Sequence, residues 1–253
     1  MAEISGTTIW RWLSDDALRP WTRRSWVFPR DPEFAERAGR ALDLYHRIWQ
    51  AQPLGPNDFV LCADENTQLQ IRERCHPISP PAPGRLMRVE HEYRRHGVCA
   101  YQVAWDVHRA RLFGHVVQSS TIEHFDRLVA QVMTTAPYRS ATRVFWIVDN
   151  GTIHRGQRAI DRLQTRWPNL VLVHLPLHAS WLNQVEIYLC IVQRKVLTPD
   201  DFTSFGQIAD RILGFQSHYQ KVARPFDWKF TRQDLARTLD RVQDYRMRPA
   251  HAA

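Results

Sequence analysis

Cysteine and glycine are sparse in this chain, and long apolar runs are missing. Among 253 residues there are four cysteines, Cys62, Cys75, Cys99 and Cys190, with no CxxC pair and no framework spacing. That removes a disulfide scaffold and a cysteine-rich zinc site. Cys62 and Cys190 sit in apolar runs, where cysteine behaves as a small hydrophobe, and the usage points to a reducing, intracellular setting. No apolar run approaches the ~20 residues of a membrane helix. The opening Met1-Ala2-Glu3-Ile4-Ser5 lacks the basic-then-apolar pattern of a signal peptide. A cytoplasmic location and no membrane partner are expected. The ten glycines form no phosphate-binding loop and no GxSxG elbow. His174 and His178 are four apart, but Pro176 between them forbids one helical face. His91 and His96 with Cys75 or Cys99 lack metal-ligand spacing.

What is abundant is positive charge: the net charge is +8 and the pI about 9.7, with arginine dominating. Phosphates attract such a chain whatever their base sequence, so nucleic acid is the favoured partner. A merely basic enzyme is the alternative. Apolar residues make up 44% and charged residues 24%, the balance of a chain that can bury a full core without staples.

Ile4 to Leu13 reads as a short helix, either the second helix of a helix-turn-helix or an amphipathic helix packing Ile9, Trp10 and Leu13 on the body. Residues 14–33 interleave Pro with Arg and Trp and predict an extended linker, whose Arg23 and Arg24, with Arg11 from the expected helix before it, suit a nucleic-acid backbone. Helical spacing of Phe34, Ala38, Ala41, Leu42, Tyr45 and Ile48 predicts a helix from Pro32 to about Gln52. Strands follow at Phe59–Ala63 and Thr67–Arg72, and Arg72-Glu73-Arg74 reads as a solvated face. Prolines 77, 80, 81 and 83 exclude regular structure from His76 to Gly84, and Arg85 to His96 reads as an irregular piece carrying Arg88, Arg94 and Arg95. A hairpin is expected at 98–107 and 111–118, turning at His108-Arg109-Ala110. Then come helix 121–135 capped by Thr121, strand Val144–Val148, helix 155–167, strand Leu170–Val173, and helices at 180–196, 203–221 and 232–245. An antiparallel hairpin beside parallel βα units predicts an α/β fold with a mixed sheet flanked by helices.

Three acids stand at the ends of core elements. Phe59 to Ala63 ends on Asp64; Val144 to Val148 ends on Asp149-Asn150-Gly151; Glu186 lies on the margin of an apolar helical stripe near its N-terminus. Singly, each has an ordinary explanation, as a strand-ending turn or a first-turn acid. Together they would repel one another unless a divalent cation held them, and magnesium favours a few carboxylates with water and phosphate. Such a set is what two-metal phosphoryl transfer requires.

The segments Asp149-Asn150-Gly151-Thr152-Ile153-His154 and His178-Ala179-Ser180-Trp181-Leu182-Asn183-Gln184-Val185-Glu186 closely resemble DDE transposases of the bacterial insertion-sequence 630 family, relatives of mariner elements. Ala63-Asp64-Glu65-Asn66-Thr67-Gln68, Arg88-Val89-Glu90-His91-Glu92-Tyr93 and Arg224 to Arg232 extend the resemblance over essentially the whole chain. It implies a ribonuclease H-like fold, a triad of Asp64, Asp149 and Glu186 holding two Mg2+ or Mn2+ ions, and cutting and joining of DNA at inverted repeats and target sites, with a homodimer as the working form. The 36 residues between Asp149 and Glu186 fit the superfamily spacing. Asn150, His154, Asn183 and Gln184 are implied to support the acids or touch DNA, with Arg11, Arg23, Arg24, Arg88, Arg94 and Arg95 as DNA contacts. The protein is expected in the bacterial cytoplasm, on the nucleoid when DNA-bound. Members normally begin with two complete helix-turn-helix units, so residues 1–52 are read as a partial remnant, linker and helix, and 53–253 as the catalytic domain. Two alternatives stay open: an inactive DNA-binding relic and a ribonuclease H-like host nuclease.

Overall fold

The computed structural model describes residues 29–151 and 157–247. Helix α1 (Phe34–Tyr45) is followed by a two-residue pair of strands, β1 (Ile48–Trp49) and β2 (Gln52–Pro53). The main sheet takes β3 (Asp58–Arg74), β4 (Tyr93–Asp106), β5 (Arg111–Val117), β6 (Arg143–Val148) and β7 (Leu170–His174), in the order β5-β4-β3-β6-β7. β3 runs antiparallel to β4 and parallel to β6. Helices α2 (Ile122–Met133), α3 (Gln157–Arg166), α4 (Val185–Lys195), α5 (Phe205–Gln220) and α6 (Arg232–Met247) complete the fold. The expected α/β architecture with a mixed sheet between helices is the one observed.

Alternation along the strands divides the core in two. Val60, Cys62, Val103, Trp105, Phe145 and Ile147 point to a layer built with α1, α4 and α5. Leu61, Ala63, Ala104, Val144, Trp146 and Val148 point to the opposite layer, closed by α2 and Leu163 of α3. The central strands are thus apolar on both faces, as a covered sheet demands.

Four element boundaries differ from the sequence reading. The helix expected to reach Gln52 ends at Tyr45, because Arg47, Gln50 and Ala51 take positive φ and make the small β1–β2 turn instead. The two strands expected at 59–63 and 67–72 are one 17-residue strand, continued through a bulge between Asn66 and Leu69 because β4 pairs with both halves. The irregular piece from Arg85 becomes strand at Tyr93, where Arg74 finds a partner across the ladder. The helix expected from Ser180 opens with a 3-10 turn at Ser180–Leu182 and becomes α-helical at Val185.

The hairpin turn is as expected, with Asp106 Oδ1 accepting from the backbone N–H groups of His108 and Arg109 at 3.0 Å each. Thr121 caps α2 by accepting from His124 N. Arg72 and Arg74 are not a solvated face. Both are partly buried and pair with Asp200, and Arg74 also donates to the main-chain oxygens of Asp200 (3.0 Å) and Glu90 (2.9 Å).

Candidate active site

The parallel ladder between β3 and β6 places two of the acids. Its last rung pairs Cys62 with Ile147. Asp64 and Asp149 each follow two residues later, so the strand period of two turns both toward the face of Cys62 and Ile147. That face is the one α4 covers. Glu186 is the second residue of α4, and Val185, Tyr188, Leu189 and Val192 bury the helix against the sheet. The three carboxylates arrive from three elements and are all half-buried.

Their electrostatics show that they sense one another. Burial, then repulsion from Glu186 and more weakly from Asp149 and Glu65, pushes the Asp64 carboxyl up to about 8, against a lowering hydrogen bond from Glu65 N. Glu186 is also raised, first by burial and then by Asp149. Asp64 Oδ1 accepts from Glu65 N at 2.8 Å and Oδ2 from Asn183 Nδ2 at 3.2 Å. Asp149 Oδ1 accepts from Gly151 N at 2.8 Å. A Cβ at position 151 would lie 2.8 Å from that same oxygen, so the glycine keeps the carboxylate where it is.

The donor set has the chemistry of a hard-cation site: all-oxygen carboxylates whose mutual repulsion a divalent ion would relieve. Two buried acceptors beside them, Asn183 Oδ1 and Gln184 Oε1, have no protein partner and would suit the water shell of such an ion. As they stand, however, no three His, Cys, Asp or Glu side chains among the described residues are disposed to hold a metal ion. The acids form a coupled cluster, not a finished coordination cage.

The sequence from residue 59 to 209, more than half the chain, matches the family described as DDE superfamily endonuclease. This chain belongs to the DDE endonuclease superfamily. A comparison with curated protein sequences finds no match. Among solved structures, the Mos1 mariner paired-end complex with Mn is similar at TM-score 0.55 and 13% identity, over 95% of this chain and 69% of that one. The same complex with Mg gives TM-score 0.56 and 14% identity over the same shares, and a pre-cleavage Mos1 transpososome gives 0.54 and 13% over 94% and 71%. At these identities the likeness shows the fold, which is similar to the ribonuclease H-like fold of that transposase.

Within this DDE superfamily domain the remaining candidates divide by location. Asn183 and Gln184 are each 1% exposed, and Asn183 is bonded to Asp64. Asn150 donates its amide to Leu175 O and lines a cleft of about 560 Å3 with Asp31, Arg37, Trp49 and His174. A smaller cleft of about 290 Å3 opens beside Glu186, lined also by Glu65, Thr67 and Gln193. Arg88, Arg94 and Arg95 are exposed on or before the outer half of β4, away from the rung that places the acids. Arg11, Arg23, Arg24 and His154 lie outside the described residues, as does the expected helix at 4–13. The sequence reading missed Tyr45, whose hydroxyl donates to Leu182 O at 2.6 Å and fixes the turn that leads into α4. Its only signal was its place in the apolar stripe of α1. No helix among the described residues is long and apolar enough to cross a membrane.

Proposed function

We propose that this DDE superfamily endonuclease is a transposase of the insertion-sequence 630 kind that cuts and joins DNA strands at the ends of a mobile element. The observation that carries the reading is the placement of Asp64 and Asp149 equal distances past one rung, with Glu186 coupled to both. Asp64, Asp149 and Glu186 are the catalytic and metal-holding residues, and two Mg2+ or Mn2+ ions are their cofactors. Bound there, the ions supply Lewis acidity to a scissile phosphate and lower the pKa of an attacking water or DNA 3′-hydroxyl. The chain's own part is to hold three carboxylates at fixed positions and to exclude bulk water along α4. Gly151 and Asn183 keep Asp149 and Asp64 in place, and Asn150 braces the loop after β6 against Leu175.

Double-stranded DNA, as terminal inverted repeats and target, is the substrate, drawn by the basic charge and by Arg88, Arg94 and Arg95. A homodimer is the working form, one protomer for each of the two element ends that are cut. Metal-dependent nicking of inverted-repeat DNA by the wild type, and none by Asp149→Asn, is the expected result. Equal nicking by both proteins would remove the acids from the chemistry. Preferential cleavage of RNA–DNA hybrids would instead make the domain a host nuclease.

A further inference from the structure

Asn183 joins Asp64 to the helix that carries Glu186. Its side chain is buried, and its amide nitrogen donates to Ala63 O at 3.0 Å and to Asp64 Oδ2 at 3.2 Å. Both neighbours are acceptors, which fixes the amide: turned over, its oxygen would face a carbonyl and a carboxylate. On its main chain, Asn183 O accepts from Glu186 N at 3.1 Å. One residue therefore sets the Asp64 carboxylate and the first turn of α4 against each other. With Glu65 N on the other oxygen, both oxygens of Asp64 have a local donor while keeping lone pairs open. The same turn has a second anchor that touches neither acid, the Tyr45 hydroxyl on Leu182 O.

We propose that Asn183 is a positioning residue for the metal-binding carboxylates: its amide sets the rotamer of Asp64 while its carbonyl sets the start of α4. The inference rests on the reading of the three acids as a metal site. Without the amide, Asp64 turns away from Glu186 to relieve repulsion, and a cation must pay to bring the two back together. Outer partners of metal ligands cost about 10- to 100-fold in metal affinity when removed.

The test is a Mn2+ titration of the DNA-free protein, followed by water-proton relaxation, with nicking kinetics alongside. Asn183→Ala is expected to weaken Mn2+ binding by about 10-fold or more and to lower kcat, with KM for DNA unchanged. Tyr45→Phe loses the turn's other anchor, and is expected to lower Tm comparably but keep wild-type Mn2+ affinity. A folded Asn183→Ala protein with unchanged Mn2+ affinity overturns the proposal. So does an equal loss of affinity in Tyr45→Phe, since anchoring of the turn would then be the whole effect. Asp64→Asn separates the two levels: if it too leaves Mn2+ binding intact, the metal reading itself fails. If it abolishes binding and Asn183→Ala does not, the positioning role alone falls. Should Asn183→Ala not fold, Asn183→Ser takes its place, with a hydroxyl too short to serve both acceptors and the same expected direction.

Discussion

Asp64 and Asp149 stand level with each other, each two residues beyond the Cys62–Ile147 pair that ends the parallel ladder. Parallel neighbours in register deliver their C-terminal ends to the same edge of the sheet, and the period of two delivers these side chains to the same face. Two carboxylates set level in this way, with a third on the helix above them, cost stability for as long as nothing neutralises them.

A trade between activity and stability follows. Asp64→Asn removes the charge most strongly opposed by burial and by Glu186 while keeping size and shape. Nicking should fall by roughly a thousand-fold, equivalent to about 4 kcal/mol of lost transition-state stabilisation. The metal-free Tm at pH 8 should rise. Calorimetry and a plasmid-nicking assay on the same sample check both halves, and a drop in Tm would contradict the account of repulsion.

Metal should act as a stabiliser with a definite pH dependence. The folded pKa of Asp64, about 8, lies above its ordinary 3.8. Its contribution is therefore fully present below the unfolded pKa and is lost as pH rises toward the folded one. Metal-free stability should decline between about pH 4 and pH 8 on this account. Mn2+ at a hundred times its Kd adds about 2.7 kcal/mol, roughly 5–10 °C in a chain of this size. The shift should grow with pH, because protons compete for the same oxygens. A Tm shift that persists in Asp64→Asn would place the ion elsewhere.

These effects trace to features of unequal legibility in the sequence. Asp64 and Asp149 stood out because each closes an apolar run, and such runs fix strand ends with little ambiguity, whereas Glu186 stood out only on the margin of a helical stripe and within a motif. The mixed sheet was readable for the same reason, from alternating strands followed by helices. The length of β3 was not: Asn66 to Gln68 interrupts the apolar pattern, and only β4, pairing on both sides of the bulge, makes one strand of it. Arg74 looked like surface because its partners, Asp200 and Glu90, are distant in sequence or on main-chain oxygen. Asn183 was visible as part of a motif, yet its bond to Asp64 across 119 positions was not. Periodicity reports which face a residue takes; it says nothing about which polar groups meet there.

The exposed arginines of β4 offer a test in salt. Arg94 and Arg95 face solvent opposite Glu73 and Arg72, and Arg95 is held over the Tyr93 ring at 5.7 Å. If both contact phosphates, the double variant Arg94→Ala with Arg95→Ala should flatten the slope of log K against log salt by about 1.8, near 0.9 per contact. Affinity should fall alike for inverted-repeat and random duplexes, and Mn2+ affinity should not change. An unaltered salt slope would remove these residues from the DNA interface.

The far end of the same two strands gives a pH dependence of opposite sign. Asp58 and Arg143 form the first rung of the β3–β6 ladder. The guanidinium reaches both carboxylate oxygens, at 3.1 and 2.6 Å, and Gly55 N adds a third bond at 2.9 Å. Asp58 is 3% exposed, and its carboxyl is lowered chiefly by the hydrogen bond to Arg143. A depressed carboxyl contributes stability above its unfolded pKa, and that stability is lost as pH falls through the folded value. Arg143→Ala leaves a buried carboxylate with the Gly55 N hydrogen bond and the more distant Arg47 charge. Breaking such pairs costs about 3–5 kcal/mol when both partners are buried; Arg143 is 38% exposed, which reduces the expectation to about 2–3 kcal/mol at pH 7. The deficit should shrink as pH falls through the lowered carboxyl of Asp58, because the stability that Arg143 confers on the charged form is lost there in the wild type as well. Urea titrations at pH 7 and in acid measure it directly. A deficit that stays constant with pH would mean that Arg143 contributes through its packing over the Phe145 ring, 5.3 Å away, and not through the charge of Asp58.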